Sequence, residues 1–344
     1  MKALVSQNHQ FEVREVPRPS LKEGDLLLQV KACGVCFSDV HKIRFQPLEK
    51  PVILGHEVAG RVVEVGSAVR KFQIGDRVVV AHHVPCLRCH YCRHGNVSMC
   101  AQFQRTNLDP GGFAQFVRVP SEHVESVAFP IPAGLSDNEA SFMEPLGCCL
   151  RAVKRAGIQP GDVVILVGLG SIGLLLLQLV RRAGAECIGL DLDLARRGFA
   201  ESLGLSASFS GSEPGFRQTL AKMTQDRGAD TVWLTAGNPA LIPTALSWLR
   251  KGGTCAVFSG LYPDSNVSFD WNQLYYREIN IVPSYSSSPA DLEEALELLV
   301  KGFINVSFLT EHTFLLKQFS QALAAIESRT ILKAIMTPNG KDDG

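Results

Sequence analysis

Three residues whose side chains suit a catalytic zinc lie close together near the start of the chain. His56 and Glu57 are adjacent in Leu54-Gly55-His56-Glu57. Cys36 lies twenty residues earlier, in Cys33-Gly34-Val35-Cys36-Phe37-Ser38-Asp39-Val40-His41. A thiol, an imidazole and a carboxylate are the ligands such a site takes, about three from the protein with one position left open. Each alone is an ordinary packing residue, and their proximity is what points to chemistry.

A second cysteine group is more closely spaced. Cys86-x2-Cys89-x2-Cys92-x7-Cys100 occupies one loop. Four thiolates so near one another close a tetrahedron around one Zn²⁺ and leave no position for substrate, which makes a structural site. A zinc-ribbon contact for nucleic acid would need basic residues, and only Arg88 and Arg93 lie inside the loop. The neighbouring His82, His83, His90 and His94 are read as solvated loop residues.

A third motif binds phosphates. Gly168-Leu169-Gly170-Ser171-Ile172-Gly173 follows the apolar run Asp162 to Val167 and opens a helical stretch. Gly168 permits the tight turn, Gly170 lets backbone amides approach a pyrophosphate, and Gly173 allows helix to pack on strand. The helix start at Ser171-Ile172 offers unpaired N–H groups to the phosphates. Asp191, twenty-one residues after Gly170, ends the next strand. There it accepts hydrogen bonds from ribose hydroxyls and repels a 2′-phosphate, which favours NAD over NADP. Arg196 is grouped with the cofactor-binding residues; Arg196 and Arg197 are read as solvated positions at a helix start rather than as a 2′-phosphate clamp.

The elements that must hold these groups differ between the two parts of the chain. Residues 1 to about 125 carry short strand patterns broken by turns such as Glu23-Gly24-Asp25 and Ile74-Gly75-Asp76, which predicts a β-rich, barrel-like unit. From about residue 150, buried-strand patterns alternate with helical ones, the signature of a doubly wound parallel sheet. Strands are expected at Cys187 to Leu190, Thr231 to Leu234, Thr254 to Phe258 and Asn280 to Val282, and a helix from Pro289 to Lys301. The tail from Thr310 to Thr337 returns to strand alternation and is assigned to the first domain. Asn339 to Gly344 read as a frayed polar end.

Composition fits a soluble globular protein: 344 residues, 46% hydrophobic, 20% charged and zero formal net charge. The absence of a basic block argues against nucleic acid or an anionic membrane as partner. Met1 to Asn8 has no apolar core of signal-peptide length, and no apolar run approaches a membrane span. With ten cysteines and no secretory signal, reduced thiols and metal ligands are expected, and a cytoplasmic location.

Taken together, the chain resembles the zinc-dependent medium-chain alcohol dehydrogenases. The likeness rests on Gly55-His56-Glu57-x2-Gly60-x5-Gly66-x2-Val69, the Cys36 segment, the four-cysteine lobe and the nucleotide motif, which follow that family's order over essentially the whole chain. Within it, the chain is similar to the polyol branch of sorbitol, L-iditol and related 2-dehydrogenases, with threonine dehydrogenase-like proteins nearby. The resemblance implies an α/β protein. A GroES-like β-rich catalytic domain is formed by residues 1–149 and 286–344, and a Rossmann NAD-binding domain by 150–285. It implies one catalytic and one structural Zn²⁺, NAD as cofactor and a homodimer or homotetramer. The catalytic zinc ligands carried over are Cys36, His56, Glu57 and Glu144; Glu57, Glu144 or water completes the sphere. Glu144, in Phe142-Met143-Glu144-Pro145, stands where simple alcohol dehydrogenases commonly place cysteine, and its oxygen is the harder ligand.

The implied reaction is oxidation of a secondary alcohol, a polyol or sugar-like cyclic alcohol. Zinc lowers the pKa of the hydroxyl and hydride passes to NAD⁺. Ser38 takes the proton and His41 passes it towards solvent, while Asp39 orients the metal site. Two departures stand out. Phe37 replaces the Arg or His that many relatives carry after the first ligand. Ser284, in Pro283-Ser284-Tyr285-Ser286, replaces the arginine of animal sorbitol dehydrogenases and puts sorbitol itself in question. Alternative readings are a threonine or amino-alcohol dehydrogenase, which a carboxylate-binding Arg or Lys would favour, and a non-catalytic zinc- and nucleotide-binding regulator.

Overall fold

A computed structural model describes residues 1–211, 213–235, 237–259 and 266–339. The chain divides into two units, one from Met1–Gly147 together with the chain from Ser287 onward, the other Cys148–Ser286.

The first unit is built on a mainly antiparallel sheet. Across it run Thr313–Phe314, Ile335–Met336, Leu26–Gly34, Glu57–Val65, Arg77–Val80 and Ala128–Pro130, and Phe116–Val119 also pairs with Leu26–Gly34. A smaller sheet joins Gln10–Glu15, Lys2–Gln7 and Val52–Ile53. The central strands are buried on both faces over much of their length: Leu26, Leu27, Leu28, Val58, Ala59, Val78, Val79 and Val80 are all buried.

Register decides what this sheet presents at one end. Cys33 pairs with Val58 and Gly34 with Glu57. Val58 in turn pairs with Val80, so continuing both ladders puts Cys36 beside Gly55 and His56 opposite His82. On the other side Ile335 pairs with Gly34, which brings the Lys333 segment alongside Cys36. Four neighbouring strand ends thus deliver chemistry-bearing residues to one place. Gly34 has to be glycine, because a Cβ there would overlap the carboxylate of Glu57.

The end of the chain is more ordered than its sequence suggests. Asn339 donates from Nδ2 to the carbonyls of Val30 and Gln115, both at 3.0 Å, and so is not a frayed residue. Residues 340–344, which complete the expected polar end, lie outside the described residues.

The second unit is a six-stranded parallel sheet. Its order is Ala207–Phe209, Glu186–Leu190, Val163–Val167, Ala229–Leu234, Leu249–Val257 and Asn280–Pro283. The chain starts in the middle, builds to one edge, then returns and builds to the other, the doubly wound order whose central crevice receives dinucleotides. Val163–Val167 is buried along its whole length, as a strand covered on both faces requires. Leu174 to Leu177 and Leu179 of the helix Ser171–Arg182 are buried too, each contributing about 1.5–3 kcal/mol. The strand Leu249–Val257 starts five residues earlier than its apolar run suggests, and a register shift next to Ala229 accommodates the polar start. The edge strand Ala207–Phe209 is only partly buried, so it carries little hydrophobic signal.

Candidate catalytic zinc site and dinucleotide loop

Cys36 ends the strand Leu26–Gly34 and caps the helix Phe37–Phe45. Asp39, in the first turn of that helix, is buried and accepts the N–H groups of Cys36 (3.1 Å) and Gly55 (3.4 Å). Its Oδ1 also lies 3.4 Å from His56 Nδ1. One carboxylate therefore ties the Cys36 segment to the Gly55-His56 segment and leaves His56 Nε2 as the available donor, the usual arrangement behind a metal-bound histidine. Burial raises the Asp39 carboxyl, but the charge and hydrogen bond of His56 outweigh it and hold it below its ordinary value. For His56 the order is the reverse: burial lowers it, and Asp39 and Cys36 push it well above the usual imidazole range.

Cys36, His56 and Glu57 each offer a donor atom, and these atoms lie within 4.8 Å of one another. Glu57 has a second partner. Lys333 Nζ donates to its Oε1 at 2.7 Å; Oε2, 2.6 Å from the same nitrogen, lies outside hydrogen-bond geometry and has no other partner. Both side chains are buried. Burial pulls the Lys333 ammonium down, but Glu57 and the Cys36 thiolate outweigh it and raise its pKa. The pocket thus brings together a thiol, two carboxylates and an imidazole, with one ammonium beside them, a donor set whose chemistry suits a divalent cation. Lys333→Met would leave Glu57 charged, buried and unpaired, and a loss of about 3–5 kcal/mol in unfolding free energy is expected from denaturant titration. Changing both partners together, Glu57→Gln with Lys333→Met, should recover most of that loss; an effect below about 1 kcal/mol in the single variant would contradict this account.

Glu144 sits in the first turn of the helix Met143–Ala156 and is outside the group of three within 4.8 Å. Its Oε1 is 4.0 Å from His82 Nδ1, and the His82 ring is 4.6 Å from that of His56. The reading of His82 and His83 as solvated is therefore corrected. Both are partly buried, and their rings form a line from His56 through His82 and His83 to Phe103. His83 Nδ1 is 2.6 Å from the Thr106 carbonyl. Burial, reinforced by the charge of His56, lowers the His82 pKa far below normal and that of His83 to about 4. The missed signal was the register: His56 and His82 are equidistant from the Val58–Val80 pair. His90 and His94 are exposed, as their loop position suggests.

An open cavity of about 750 Å³ adjoins the site and is lined by Asp39, Lys42, His56 and His82. Ser38 and His41 lie three residues apart on the helix Phe37–Phe45, a spacing that makes their side chains neighbours. Ser38 is exposed and His41 partly buried.

The four cysteines of the lobe also converge, with all four sulfurs within 4.8 Å of one another. Cys89 and Cys92 sulfurs are 3.5 Å apart, near the roughly 3.8 Å edge of a tetrahedron with Zn–S of about 2.3 Å. Backbone N–H groups point at the sulfurs, Cys86 N to Cys100 Sγ and Cys89 N to Cys86 Sγ, both at 3.4 Å. All ten cysteines are thiols.

In the second unit Gly168 has φ of +99°, and a Cβ at Gly173 would overlap the Gly168 carbonyl. Asp191 Oδ2 accepts from Leu169 N at 2.8 Å and Oδ1 from Asp193 N at 2.9 Å, so the carboxylate is fixed beside the glycine loop. Asp193 caps the helix Leu194–Ser202, and the Arg196 guanidinium reaches to 3.6 Å from where a Cβ on Gly170 would stand. Ser284 Oγ is buried with no hydrogen-bond partner.

Residues 22–132 match the alcohol dehydrogenase GroES-like domain, and residues 171–301 match the zinc-binding dehydrogenase domain. The chain belongs to the zinc-dependent medium-chain alcohol dehydrogenase family. It is an enzyme of that class, a zinc-binding dehydrogenase. A sorbitol dehydrogenase of Halalkalibacterium halodurans is 33% identical, over 98% of this chain and 99% of its own. Among solved structures, an alcohol dehydrogenase from Thermus sp. ATN1 is similar at TM-score 0.87 and 25% identity, covering 98% of this chain and 99% of its own. Galactitol-1-phosphate dehydrogenase from Escherichia coli is similar at TM-score 0.85 and 26% identity, over 98% and 100% respectively. Among the described residues no helix is long and apolar enough to cross a membrane.

Proposed function

We propose that this family member oxidises a secondary alcohol of a polyol or a sugar-like cyclic alcohol with NAD⁺. The observation that carries this reading is the convergence of Cys36, His56 and Glu57 donor atoms within 4.8 Å at the edge of a cavity. The name of the sorbitol dehydrogenase relative supports the polyol class.

When bound, zinc supplies a Lewis acid to the substrate hydroxyl and NAD⁺ the hydride acceptor. Cys36 and His56 would hold the metal, with Asp39 orienting His56. Glu57, Glu144 or water would complete the sphere, Glu57 being shared with Lys333 and Glu144 lying 4.0 Å from His82. Ser38 accepts the hydroxyl proton and His41 passes it outward. Cys86, Cys89, Cys92 and Cys100 hold the structural zinc. Gly168 to Gly173, with Arg196 beside Gly170, would seat the pyrophosphate, and Asp191 would hold the adenosine ribose, its carboxylate favouring NAD over NADP.

A second reading, an amino alcohol with a carboxylate such as threonine, gains support from Lys42 on the wall of the same cavity. The test is a panel of polyols and amino alcohols assayed with NAD⁺ and with NADP⁺, before and after zinc removal. NAD⁺-linked turnover that stops on chelation and returns with zinc is expected; turnover by a zinc-free preparation sinks the reading.

We place the chain in the cytoplasm, where ten thiols persist. A homodimer or homotetramer is the proposed assembly. Its support is the sheet edge at Asn280–Pro283, with Ile281 exposed, beside the exposed Trp271, Tyr275 and Tyr276. A monomer mass in light scattering would refute it.

A further inference from the structure

The cavity beside His56 is lined by one ammonium, that of Lys42, which feels the charge of Asp39 but makes no direct ion pair among the described residues. Lys42 follows Asp39 by three residues on the helix Phe37–Phe45, so the two share a face. Asp39 is already engaged with Cys36, Gly55 and His56. Lys42 is partly buried, lines the cavity, and has no ion pair or side-chain hydrogen bond among the described residues.

The other charged groups on the wall are accounted for. Arg14 donates from Nε to Glu12 at 2.6 Å, and Glu15 lies 3.2 Å from the amino terminus. At the inner end, Asp39 Oδ1 lies 3.4 Å from His56 Nδ1, and Glu144 Oε1 lies 4.0 Å from His82 Nδ1. Lys42 is thus the net positive group on a wall that begins at the candidate zinc ligands. A half-buried ammonium without a partner is poorly compensated, and an anion reaching it would gain a charge-assisted hydrogen bond. A neutral polyol alone would leave that charge unmatched.

We propose that Lys42 is a specificity-determining residue that recognises an anionic substituent, phosphate or carboxylate, on the far end of the alcohol substrate. The proposal rests on the polyol dehydrogenase reading and narrows it. The reacting hydroxyl lies at Cys36 and His56, and the charged end lies towards Lys42. Lysine suits this role as a point charge on a flexible stem, which accepts either anion without fixed bidentate geometry.

The test uses the full-length, zinc-loaded protein and three substrates that share one reacting alcohol: a neutral polyol, its terminal phosphate and its terminal carboxylate. The wild type is expected to favour at least one anionic member over the neutral one by about tenfold or more in kcat/KM, and the comparison of phosphate with carboxylate identifies the anion. Lys42→Met should cut that preference by at least about tenfold, chiefly through KM, and Lys42→Arg should retain most of it. Calorimetric binding of the same three compounds in the presence of NADH decides the question independently of turnover. Anion-selective binding that Lys42→Met abolishes supports the assignment. No anion preference in the wild type, or one that survives Lys42→Met, overturns it. Turnover of the neutral polyol without any charge effect would defeat the Lys42 assignment alone and leave the dehydrogenase reading standing.

Discussion

Replacing Cys36 by alanine is expected to remove one of two zinc ions per chain and to lower kcat/KM by about a thousandfold or more. Three donor atoms meet within 4.8 Å at this place, and one of the three, on Glu57, belongs to a carboxylate already shared with Lys333. Without the thiolate, His56 keeps only weakly committed company, and the cation is held by fewer than the three protein ligands a catalytic site uses. Loss of a Lewis acid removes several kcal/mol of transition-state stabilisation, and each 1.36 kcal/mol is a factor of ten in rate. The fold should survive, because Asp39 holds the Cys36 and Gly55 segments through backbone N–H groups rather than through the thiol. Metal analysis, kcat/KM and thermal unfolding on one preparation check all three expectations. Two zinc ions retained with activity within tenfold of the wild type would show that the metal lies elsewhere.

Cys100→Ser should have the opposite profile: the other zinc is lost, the melting temperature falls by roughly 10 °C, and the turnover of surviving folded molecules is nearly intact. Cys100 is buried and accepts the Cys86 N–H. Burial raises its thiol, but the surrounding N–H donors, led by those of Cys86 and Phe103, outweigh that and bring it down to about 6, so it is poised to ionise. The lobe around it consists of helices of four and five residues, His90–Arg93 and Ala101–Arg105, joined through one short 3₁₀ turn. Elements so short have no hydrophobic core of their own and depend on the metal for their shape. A loss of about 3–5 kcal/mol corresponds to roughly 10 °C in a chain of this size. Zinc stoichiometry and differential scanning calorimetry report the result; an unchanged melting temperature would mean that the lobe holds itself together.

Three motifs were legible for a shared reason. Each is written in a short stretch, where spacing along the chain fixes spacing in space: Cys86-x2-Cys89-x2-Cys92, Gly55-His56-Glu57 and Gly168 to Gly173. The doubly wound order was legible too, because buried parallel strands such as Val163–Val167 are apolar throughout. The failures involve distance or register. Lys333 is 276 residues from its partner Glu57, in a tail without a motif, and no local pattern marks a lysine that will be buried. His82 and His83 look like polar residues before a cysteine loop, and only the pairing of Val58 with Val80 turns them inward beside His56. Glu144 was found by resemblance rather than by spacing, and its place next to His82 depends on where a separate helix begins. Asn339 looked like a loose terminal residue because the two carbonyls that hold it, of Val30 in a strand and of Gln115 just before one, lie far back in the chain.

The Glu57–Lys333 pair also sets an order of events during synthesis. At about 5–20 residues per second, the ribosome needs roughly 15–55 s to travel from Glu57 to Lys333. Through that interval the nascent first unit carries Cys36, His56 and Glu57 without the ammonium that balances them, and without the strand Ile335–Met336 at the edge of Leu26–Gly34. The nucleotide-binding unit, Cys148–Ser286, is complete well before then and has every strand it needs. The cysteine lobe is finished earlier still, by residue 100. The lobe thus has all four of its sulfurs long before the chain is finished, whereas the Cys36–His56 position gains its balancing ammonium only once Lys333 has been added.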